Sequence, residues 1–258
     1  MNHQNNSFVF ITGVTAGFGE ACAKLYASKG FNLILTGRRE ERLNVLKQNL
    51  EREFKIEVLT LCFDVRDAIE TKKSIDSINT NIQKNITIVI NNAGLAVGKG
   101  PIDTGILDDW NRMIDTNIKG VLHVSQCLIP ILKSNKSGHI VNIGSIAGKE
   151  VYPGGNVYCA TKHAVEALSK AMRIDLLPYQ IKVTNIAPGA ADTEFSEVRF
   201  KGDKTQSSKV YEGFSPLMAK DIAESIYFAT SRPAHVTIND LIIMPTAQGS
   251  SQNLFKQS

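Results

Sequence analysis

The sequence predicts an α/β protein, a doubly wound parallel sheet of about seven strands with helices on both faces. Two patterns in the chain predict this fold. Short stretches rich in β-branched residues alternate with longer segments of helical period. These stretches are apolar at nearly every position, which indicates strands buried on both faces. Since no internal repeat or Pro/Gly-rich linker interrupts the alternation, we expect one domain over residues 1–258.

Each predicted strand except the last leads into a predicted helix, an order that gives right-handed parallel crossovers. We predict strands at 8–12, 32–36, 56–61, 86–90, 139–144, 181–187 and 237–243. We predict helices at 17–29, 39–53, 67–82, 108–133, 156–177 and 219–231. The polar segment 195–216 is too long for an ordinary connection, and we expect it to close over a site. Residues 1–7 and 246–258 are expected to be loosely held tails.

Composition argues against several classes of protein. The formal net charge is +4 and the basic residues are scattered, so no nucleic-acid or membrane surface is predicted. No apolar run approaches the roughly 18 residues that span a bilayer. Four cysteines lie far apart without a CxxC pair, at Cys22, Cys62, Cys127 and Cys159. With no signal-peptide pattern at the N-terminus, we expect a cytoplasmic protein with reduced thiols, a small-molecule substrate and no metal.

A glycine-rich turn follows the first predicted strand. The stretch "ITGVTAGFGEACA" places Gly13, Gly17 and Gly19 at the mouth of the first helix. Missing side chains let backbone N–H groups and the positive helix end approach a pyrophosphate. A tight turn that merely needs glycine gives the same pattern. With a strand before it and a helix after it, we predict a dinucleotide site formed by these glycines together with Thr15, Ala16 and Phe18.

Two arginines stand where a dinucleotide-binding chain often carries a carboxylate. That carboxylate, about 20 residues past the glycines, holds the ribose hydroxyl of NAD. This chain instead reads "LTGRRE", with Arg38 and Arg39 at the end of the second predicted strand. Guanidinium groups bind a 2′-phosphate through charge-assisted hydrogen bonds, so the predicted cofactor is NADP. The alternative is a solvated pair that takes part in local helix pairing.

Tyr158 and Lys162 lie one turn apart on the helix predicted at 156–177. A free tyrosine has a pKa near 10 and is a poor base at neutral pH, but a nearby cation lowers that pKa. We therefore expect Lys162 to lower the pKa of Tyr158, so that the phenol exchanges a proton with an alcohol or carbonyl. A YxxxK pair alone is a weak signal. Ser145, at the carboxyl edge of the predicted sheet, is expected to bind the reacting oxygen.

These motifs resemble those of the short-chain dehydrogenase/reductase family. They occur in order from about residue 8 to 245: TGxxxGxG, "NNAG" at 91–94, "IDTNIKG" around Asn117, Ser145, Tyr158-x-x-x-Lys162 and "PGAADT" at 188–193. Within the family, "TGRREERL" and "TEFSEVRFKGD" are similar to the NADP-dependent serine/3-hydroxy acid dehydrogenases, also described as L-allo-threonine dehydrogenases and malonic semialdehyde reductases. The resemblance implies a Rossmann-type sheet, hydride transfer, and a homodimer or homotetramer built through helices 108–133 and 156–177.

The resemblance also implies roles for single residues. Tyr158 would be the acid/base, Ser145 the binder of the substrate oxygen, and Lys162 the holder of the nicotinamide ribose. Asn117 would hold a water in the proton relay, although a buried polar residue satisfied within its own helix is the alternative.

Further cofactor contacts are implied by the resemblance alone. They are Asp64 and Val65 at the adenine, Asn91 and Gly94 beside the ribose, and Pro188, Gly189 and Thr193 around the nicotinamide amide. Two of these contacts have simpler explanations. Asp64 could cap the following helix, and Pro188-Gly189 could be only a turn.

A 3-hydroxy acid carries a carboxylate, which needs a cation in a partly apolar site. Arg199 in segment 195–216 is the candidate, with Lys201 behind it, although a charged residue in a polar loop is usually just solvated. The predicted reaction is hydride transfer between NADP and a small 3-hydroxy acid such as serine, allo-threonine or a 3-hydroxypropionate-like acid. Two alternatives stay open: reduction of another carbonyl (a 3-oxoacyl thioester, a sugar or a ketone), and a protein that senses NADP without turnover.

Overall fold

A seven-stranded parallel sheet organises the computed structural model, which describes residues 6–203, 205 and 210–256. The strands are β1 Phe8–Thr12, β2 Asn32–Gly37, β3 Val58–Cys62, β4 Ile86–Asn91, β5 His139–Ile143, β6 Lys182–Pro188, β7 Ala191–Asp192, β8 Leu217–Met218 and β9 Asp240–Ile243. The sheet has the order β3-β2-β1-β4-β5-β6-β9, and β7 pairs separately with β8. The predicted fold class is confirmed, and the small β7–β8 pair was not predicted.

The helices have the bounds α1 Gly17–Ser28, α2 Glu40–Phe54, α3 Ala68–Asp76, α4 Thr80–Gln83, α5 Leu107–Ile114, α6 Gly120–Asn135, α7 Asn156–Asp175, α8 Glu194–Arg199 and α9 Ala219–Thr230. The helix predicted at 67–82 is two helices, because the Asn79 side chain accepts from the Asn81 N–H (2.8 Å) and caps a new start. The helix predicted at 108–133 is interrupted by a π turn at Asp115–Lys119.

Two apolar cores cover the two faces of the sheet. In β1, Val9 and Ile11 pack on one side and Phe8 and Phe10 on the other, which is the alternation of a strand buried on both faces. The first core receives residues of α1, α2 and α9, and the second receives residues of α3, α6 and α7. The sheet is therefore held by buried apolar contacts on each side.

The strand order reverses between β1 and β4, and this point opens a crevice at the carboxyl edge of the sheet. Asn92 follows β4 there, and its side-chain amide donates to the carbonyls of Thr12 (2.8 Å) and Gly13 (3.1 Å). The Thr12 hydroxyl accepts in return from the backbone N–H groups of Asn92 and Ala93, each at 2.9 Å. Side-chain to backbone hydrogen bonds thus join the two strands where the crevice begins.

The C-terminal segment differs from the expectation of a loosely held tail. The Gln248 side chain accepts from the backbone N–H of Ala190 at 2.8 Å, and the backbone N–H of Ser251 donates to Glu150 at 2.7 Å. These two side chains accept from backbone N–H groups and so attach the C-terminal segment to the domain, which the polar composition of the segment did not predict. Residues 1–5 and 257–258 of the two predicted tails lie outside the described residues.

Within the described chain, every helix is too short or too polar to cross a lipid bilayer.

Candidate active site

A cleft of about 660 Å³ lies at the carboxyl edge of the sheet. This volume is within the range of roughly 300–1,000 Å³ that small-molecule sites occupy. The cleft runs from the glycine turn to the start of α7, and α8 forms part of its wall. Every predicted site residue lines it except Gly19, Asn91 and Asn117.

The glycine turn leaves an open cradle at the start of α1. Gly13 and Gly17 have φ angles of +69° and +56°, which favour glycine. Because α1 begins at Gly17, the first backbone N–H groups of that helix have no partner within it. A Cβ on Gly19 would lie 2.4 Å from the Gly13 carbonyl oxygen, so Gly19 acts by letting the helix approach the strand. This cradle fits a pyrophosphate.

The position of Asn91 differs from the prediction that this residue lies beside the ribose. Its amide donates to Asn142 (2.8 Å) and Ser125 (3.2 Å), and the residue is buried away from the cleft. Successive strand residues point to opposite faces, and so Asn91 faces the side covered by α6 and α7. Asn92, which was not predicted, lines the cleft and holds the glycine turn.

The predicted arginine pair stands in two different environments. Arg38 is mostly exposed, and its guanidinium lies 3.5 Å from Asp64. Arg39 donates to the Thr15 hydroxyl and the Thr15 carbonyl, each at 2.9 Å. It also forms an ion pair with Glu194 at 3.1 Å. Arg38 is thus the freer cation at the mouth of the cleft, and Arg39 is already anchored to the glycine turn.

Asp64 lines the cleft and is not a helix cap, because Asp67 caps α3. Burial of Asp64 opposes its ionisation, but hydrogen bonds from Arg66 and the charge of Arg38 hold the pKa of its carboxyl below its ordinary value. Arg66, missed in the sequence, grips this carboxylate at 2.7 and 2.9 Å. Asp64 is therefore ionised and fixed beside Arg38.

Tyr158, Lys162 and Ser145 converge at the other end of the cleft. Tyr158 and Lys162 occupy the first two turns of α7. The Lys162 ammonium donates to the carbonyl of Ile143 at 2.8 Å and lies 5.9 Å from the centre of the Tyr158 ring. The Ser145 hydroxyl donates to the Pro188 carbonyl at a long 3.4 Å. The hydroxyl, phenol and ammonium groups thus surround one part of the cleft.

The pKa values of this group differ from the expectation. Burial raises the pKa of Tyr158 above its ordinary value, while the nearby Ser145 hydroxyl and the charge of Arg199 act in the opposite direction. Burial also lowers the pKa of Lys162 to about 8. The expected lowering of the Tyr158 pKa by Lys162 is not found in this structure, because burial outweighs the charges nearby. Arg199 is the cation that favours the phenolate.

Asn117 lies in the π turn between α5 and α6. Its side-chain oxygen accepts from the Leu95 N–H at 2.8 Å, and its amide donates to the Leu95 carbonyl (2.8 Å) and the Thr161 hydroxyl (3.1 Å). The amide is therefore satisfied by residues 22 and 44 positions away in the chain, and not within its own helix as the alternative from sequence expected. π turns of this kind occur often at functional sites, but the water-holding role of Asn117 stays a prediction.

Arg199 is the last residue of α8 and lies over the catalytic tyrosine candidate. Its guanidinium carbon is 5.8 Å from the centre of the Tyr158 ring and 5.5 Å from that of Tyr152. One terminal nitrogen donates to the Tyr152 hydroxyl at 3.0 Å. Among the described residues, the buried Nε of Arg199 has no hydrogen-bond partner. Because an unpaired buried donor is costly, this group can take an anionic ligand close to Tyr158.

Several residues of this end were missed from the sequence. Tyr152 lines the cleft and holds Arg199, while the Phe195 ring packs 5.7 Å from that of Tyr158. No spacing signal in the chain marks either aromatic. Lys201, expected behind Arg199, instead forms an ion pair with Asp109 at 2.8 Å and does not line the cleft.

Comparison with known proteins agrees with this architecture. The model of the short chain dehydrogenase family matches residues 7–204. Sulfoacetaldehyde reductase 2 of Chromohalobacter salexigens is 44% identical over 247 residues, which cover 95% of this chain and 97% of that protein. NADP-dependent 3-hydroxy acid dehydrogenase YdfG of Escherichia coli strain K12 is 42% identical over 241 residues, which cover 93% and 95%.

Among solved structures, the closed form of serine dehydrogenase complexed with NADP⁺ superimposes with a TM-score of 0.89. It is 40% identical and covers 97% of this chain and 100% of its own. The fold and the cleft are those of a nucleotide-dependent oxidoreductase. The chain belongs to the short-chain dehydrogenase family, so the predicted family and the predicted dehydrogenase class are confirmed.

Proposed function

We propose that this protein is an NADP-dependent dehydrogenase that transfers a hydride between nicotinamide and a small hydroxy acid. The observation that carries the substrate class is the Arg199 guanidinium, 5.8 Å from the Tyr158 ring, with a buried donor that lacks a partner among the described residues. A carboxylate on Arg199 would place a hydroxyl two or three carbons away at the phenol of Tyr158. The relatives named for 3-hydroxy acids and serine support this class.

The cofactor would lie along the cleft from the glycine turn to Lys162. The side-chain-free cradle at Gly13 and Gly17 fits the pyrophosphate, and Arg38 and Arg39 fit a 2′-phosphate at the end of β2. Within the described structure, the Lys162 ammonium has one hydrogen-bond acceptor, which leaves donors for ribose hydroxyls. The expectation of NADP agrees with the relatives described by that cofactor.

Bound NADP would supply the hydride acceptor, and the residues of this chain would manage the proton. In alcohol oxidation, the Tyr158 oxygen takes the hydroxyl proton while the Ser145 hydroxyl holds the substrate oxygen. Arg199 orients the acid group and favours the phenolate through its charge. Phe195 packs beside the Tyr158 ring at this end of the cleft.

A sulfonate is a second candidate for the acid group. The Arg199 guanidinium supplies the charge for such a group, and its buried Nε is a donor without a partner among the described residues, which suits an anion with several acceptor oxygens. The sulfoacetaldehyde reductase relative supports this possibility.

A substrate panel with an Arg199→Ala variant tests the proposal. Reduction of NADP is followed with serine, 3-hydroxybutyrate, 2-hydroxyethanesulfonate and a neutral alcohol of similar size. Loss of a charged hydrogen bond, about 1.5–3 kcal/mol, should raise KM for the preferred acid by roughly 10- to 100-fold and leave KM for the neutral alcohol nearly unchanged.

Arg52→Ala, on the exposed face of α2, is the matched control. If Arg199→Ala raised KM equally for the acid and for the neutral alcohol, the assignment of Arg199 as the acid site would be refuted. Turnover of only neutral carbonyls would favour another reductase, and NADP binding without any turnover would favour a sensor.

We also propose a homodimer or homotetramer in the cytoplasm. Large apolar side chains are exposed near the end of α7, with Ile174 at 73% and Leu177 at 72% exposure, which suits burial against another copy. Light scattering tests this assembly. A species of 28.3 kDa at working concentration, the mass of one chain, would refute it.

A further inference from the structure

A single carboxylate fastens α8 to the glycine turn. Glu194 is the first residue of α8, and its two oxygens pair with Arg39 at 3.1 Å and Arg42 at 2.9 Å. Both arginines also bind Thr15: Arg39 donates to its hydroxyl and carbonyl at 2.9 Å, and Arg42 to its carbonyl at 3.3 Å. We call Thr15, Arg39, Arg42 and Glu194 the arginine cluster. It joins α8 to the part of the cleft proposed for the cofactor.

The same short helix carries the proposed substrate contact at its other end. Thr193 caps α8 and lies against the glycine turn, since a Cβ on Gly17 would be 3.5 Å from the Thr193 Cβ. At the far end, the Arg199 carbonyl accepts from the Gly98 N–H at 3.1 Å, and its guanidinium lies over Tyr158. Six residues of helix, about 9 Å at the usual rise, therefore connect the two ends of the cleft.

We propose that Glu194 is a positioning residue that couples recognition of the cofactor 2′-phosphate to the placement of Arg199. This inference rests on the proposed function, because it takes Arg39 as a ligand of that phosphate. Arg39 has five N–H donors, and three of them are directed to Thr15 and Glu194. A phosphate bound to Arg39 would thus share the Arg39 guanidinium with the Glu194 carboxylate, which holds α8.

The sign of this coupling follows from charge. A dianionic phosphate and the Glu194 carboxylate attract the same guanidinium groups and repel each other. Each anion therefore weakens the hold of the other on the arginine cluster, and thermodynamic linkage makes the effect equal in both directions. Glu194 anchors α8 most firmly when the phosphate is absent, and it lowers affinity for the phosphate when α8 is anchored.

The competing explanation is that the ion pairs of the arginine cluster are solvated and affect neither phosphate binding nor the position of α8. The three charged side chains of the cluster are 43–52% exposed, and exposed pairs usually contribute 1 kcal/mol or less. The cluster differs from an isolated pair because one carboxylate bridges two guanidinium groups that are each fixed on Thr15. Because Thr15 already holds the two arginine side chains, they lose less entropy when they pair with Glu194. We therefore expect a modest but measurable effect of Glu194 on phosphate affinity and on the anchoring of α8.

Nucleotide binding to Glu194→Gln tests the phosphate half of the proposal. Calorimetry compares adenosine 2′,5′-bisphosphate with adenosine 5′-monophosphate, which lacks the 2′-phosphate. The variant should bind the bisphosphate about two- to fivefold more tightly, and the monophosphate as the original protein does. Glu212→Gln, an equal charge change at a residue with no ion pair among those described, is the matched control. Unchanged bisphosphate affinity in Glu194→Gln would overturn the coupling.

Amide hydrogen exchange of residues 195–200 tests the anchoring half without turnover. Glu194→Gln should exchange these amides about two- to fivefold faster at low salt, and added salt should bring the original protein toward the variant because exposed charges are screened. A loss of packing alone would not depend on salt in this way. Equal exchange in both proteins would refute the anchor.

Arg39→Ala separates this inference from the proposed function. If that variant binds the bisphosphate unchanged, the assigned 2′-phosphate site is wrong and the coupling fails with it. The salt-dependent exchange of Glu194→Gln still reports whether the carboxylate anchors α8. If Arg39→Ala weakens the bisphosphate but Glu194→Gln changes neither measurement, the phosphate site stands and only the role of Glu194 falls.

Discussion

The two walls of the cleft are built by different forces. On the cofactor side, the glycine turn follows a fully buried strand and is held by backbone groups and by Asn92. On the substrate side, α8 is held mainly by side chains, through Glu194 on the arginines and Arg199 on Tyr152. Backbone hydrogen bonds of a buried sheet open only at a high free energy, whereas the half-exposed ion pairs of Glu194 open more readily. The structure thus combines a rigid cradle with an adjustable wall.

The candidate acid/base belongs to the rigid side. Tyr158 lies in a small buried cluster with Leu95, Met113 and Cys159 at the start of α7. Arg199, its partner across the cleft, is carried by α8. Packing of the buried cluster therefore fixes the acid/base, and recognition of the acid depends on the wall that side-chain contacts hold.

Tyr158→Phe should abolish the proton transfer and leave the cradle intact. General acid–base groups contribute about 10²–10⁴-fold, so turnover should fall by roughly 10³-fold. Affinity for NADPH, measured by fluorescence titration, should change by less than about twofold, because no part of the glycine turn is altered. Tyr179→Phe, at a half-exposed tyrosine outside the cleft, is the control. Activity retained in Tyr158→Phe would disprove the assigned acid/base.

Gly19→Ala should damage the rigid side directly. The added methyl would lie 2.4 Å from the Gly13 carbonyl oxygen and 2.6 Å from the Asn92 amide, and the carbonyl belongs to the turn itself. Overpacking of this kind costs about 1–3 kcal/mol, to be measured by chemical denaturation. Gly249→Ala is the control, since a Cβ added to that glycine would meet no atom within 4 Å among the described residues. An unchanged free energy of unfolding in Gly19→Ala would contradict a rigid cradle.

Arg199→Gln should shift the pH profile of the adjustable side. The charge of Arg199 lowers the pKa of Tyr158 against the raising effect of burial, so its removal should raise that pKa further. Alcohol oxidation needs the phenolate as proton acceptor, and its rate profile should therefore move to higher pH. A neutral alcohol is the substrate, so that acid binding does not interfere. Arg52→Gln should leave the profile in place, and an unshifted profile in Arg199→Gln would rule out this electrostatic role.

Much of the fold was predictable because strand and helix periods are local. The bounds of β1 and the start of α1 agree with the prediction, since apolar runs and glycines mark them. The π turn at Asp115–Lys119 was not predictable, because no residue there breaks the helical period. The attachment of Gln248 to Ala190 was missed for a related reason, since the partners are 58 positions apart in the chain.

Residues that are close together in the chain set the order of strands and helices, the open glycine turn, and the placement of a phenol and an amine one helical turn apart. These features depend on backbone conformation and on spacings within a few residues. Only the tertiary structure decided which charges meet: Arg199 over Tyr158, and Glu194 between Arg39 and Arg42. It also decided that burial raises the pKa of Tyr158, because desolvation depends on everything that packs around a group and not on its neighbours in the chain.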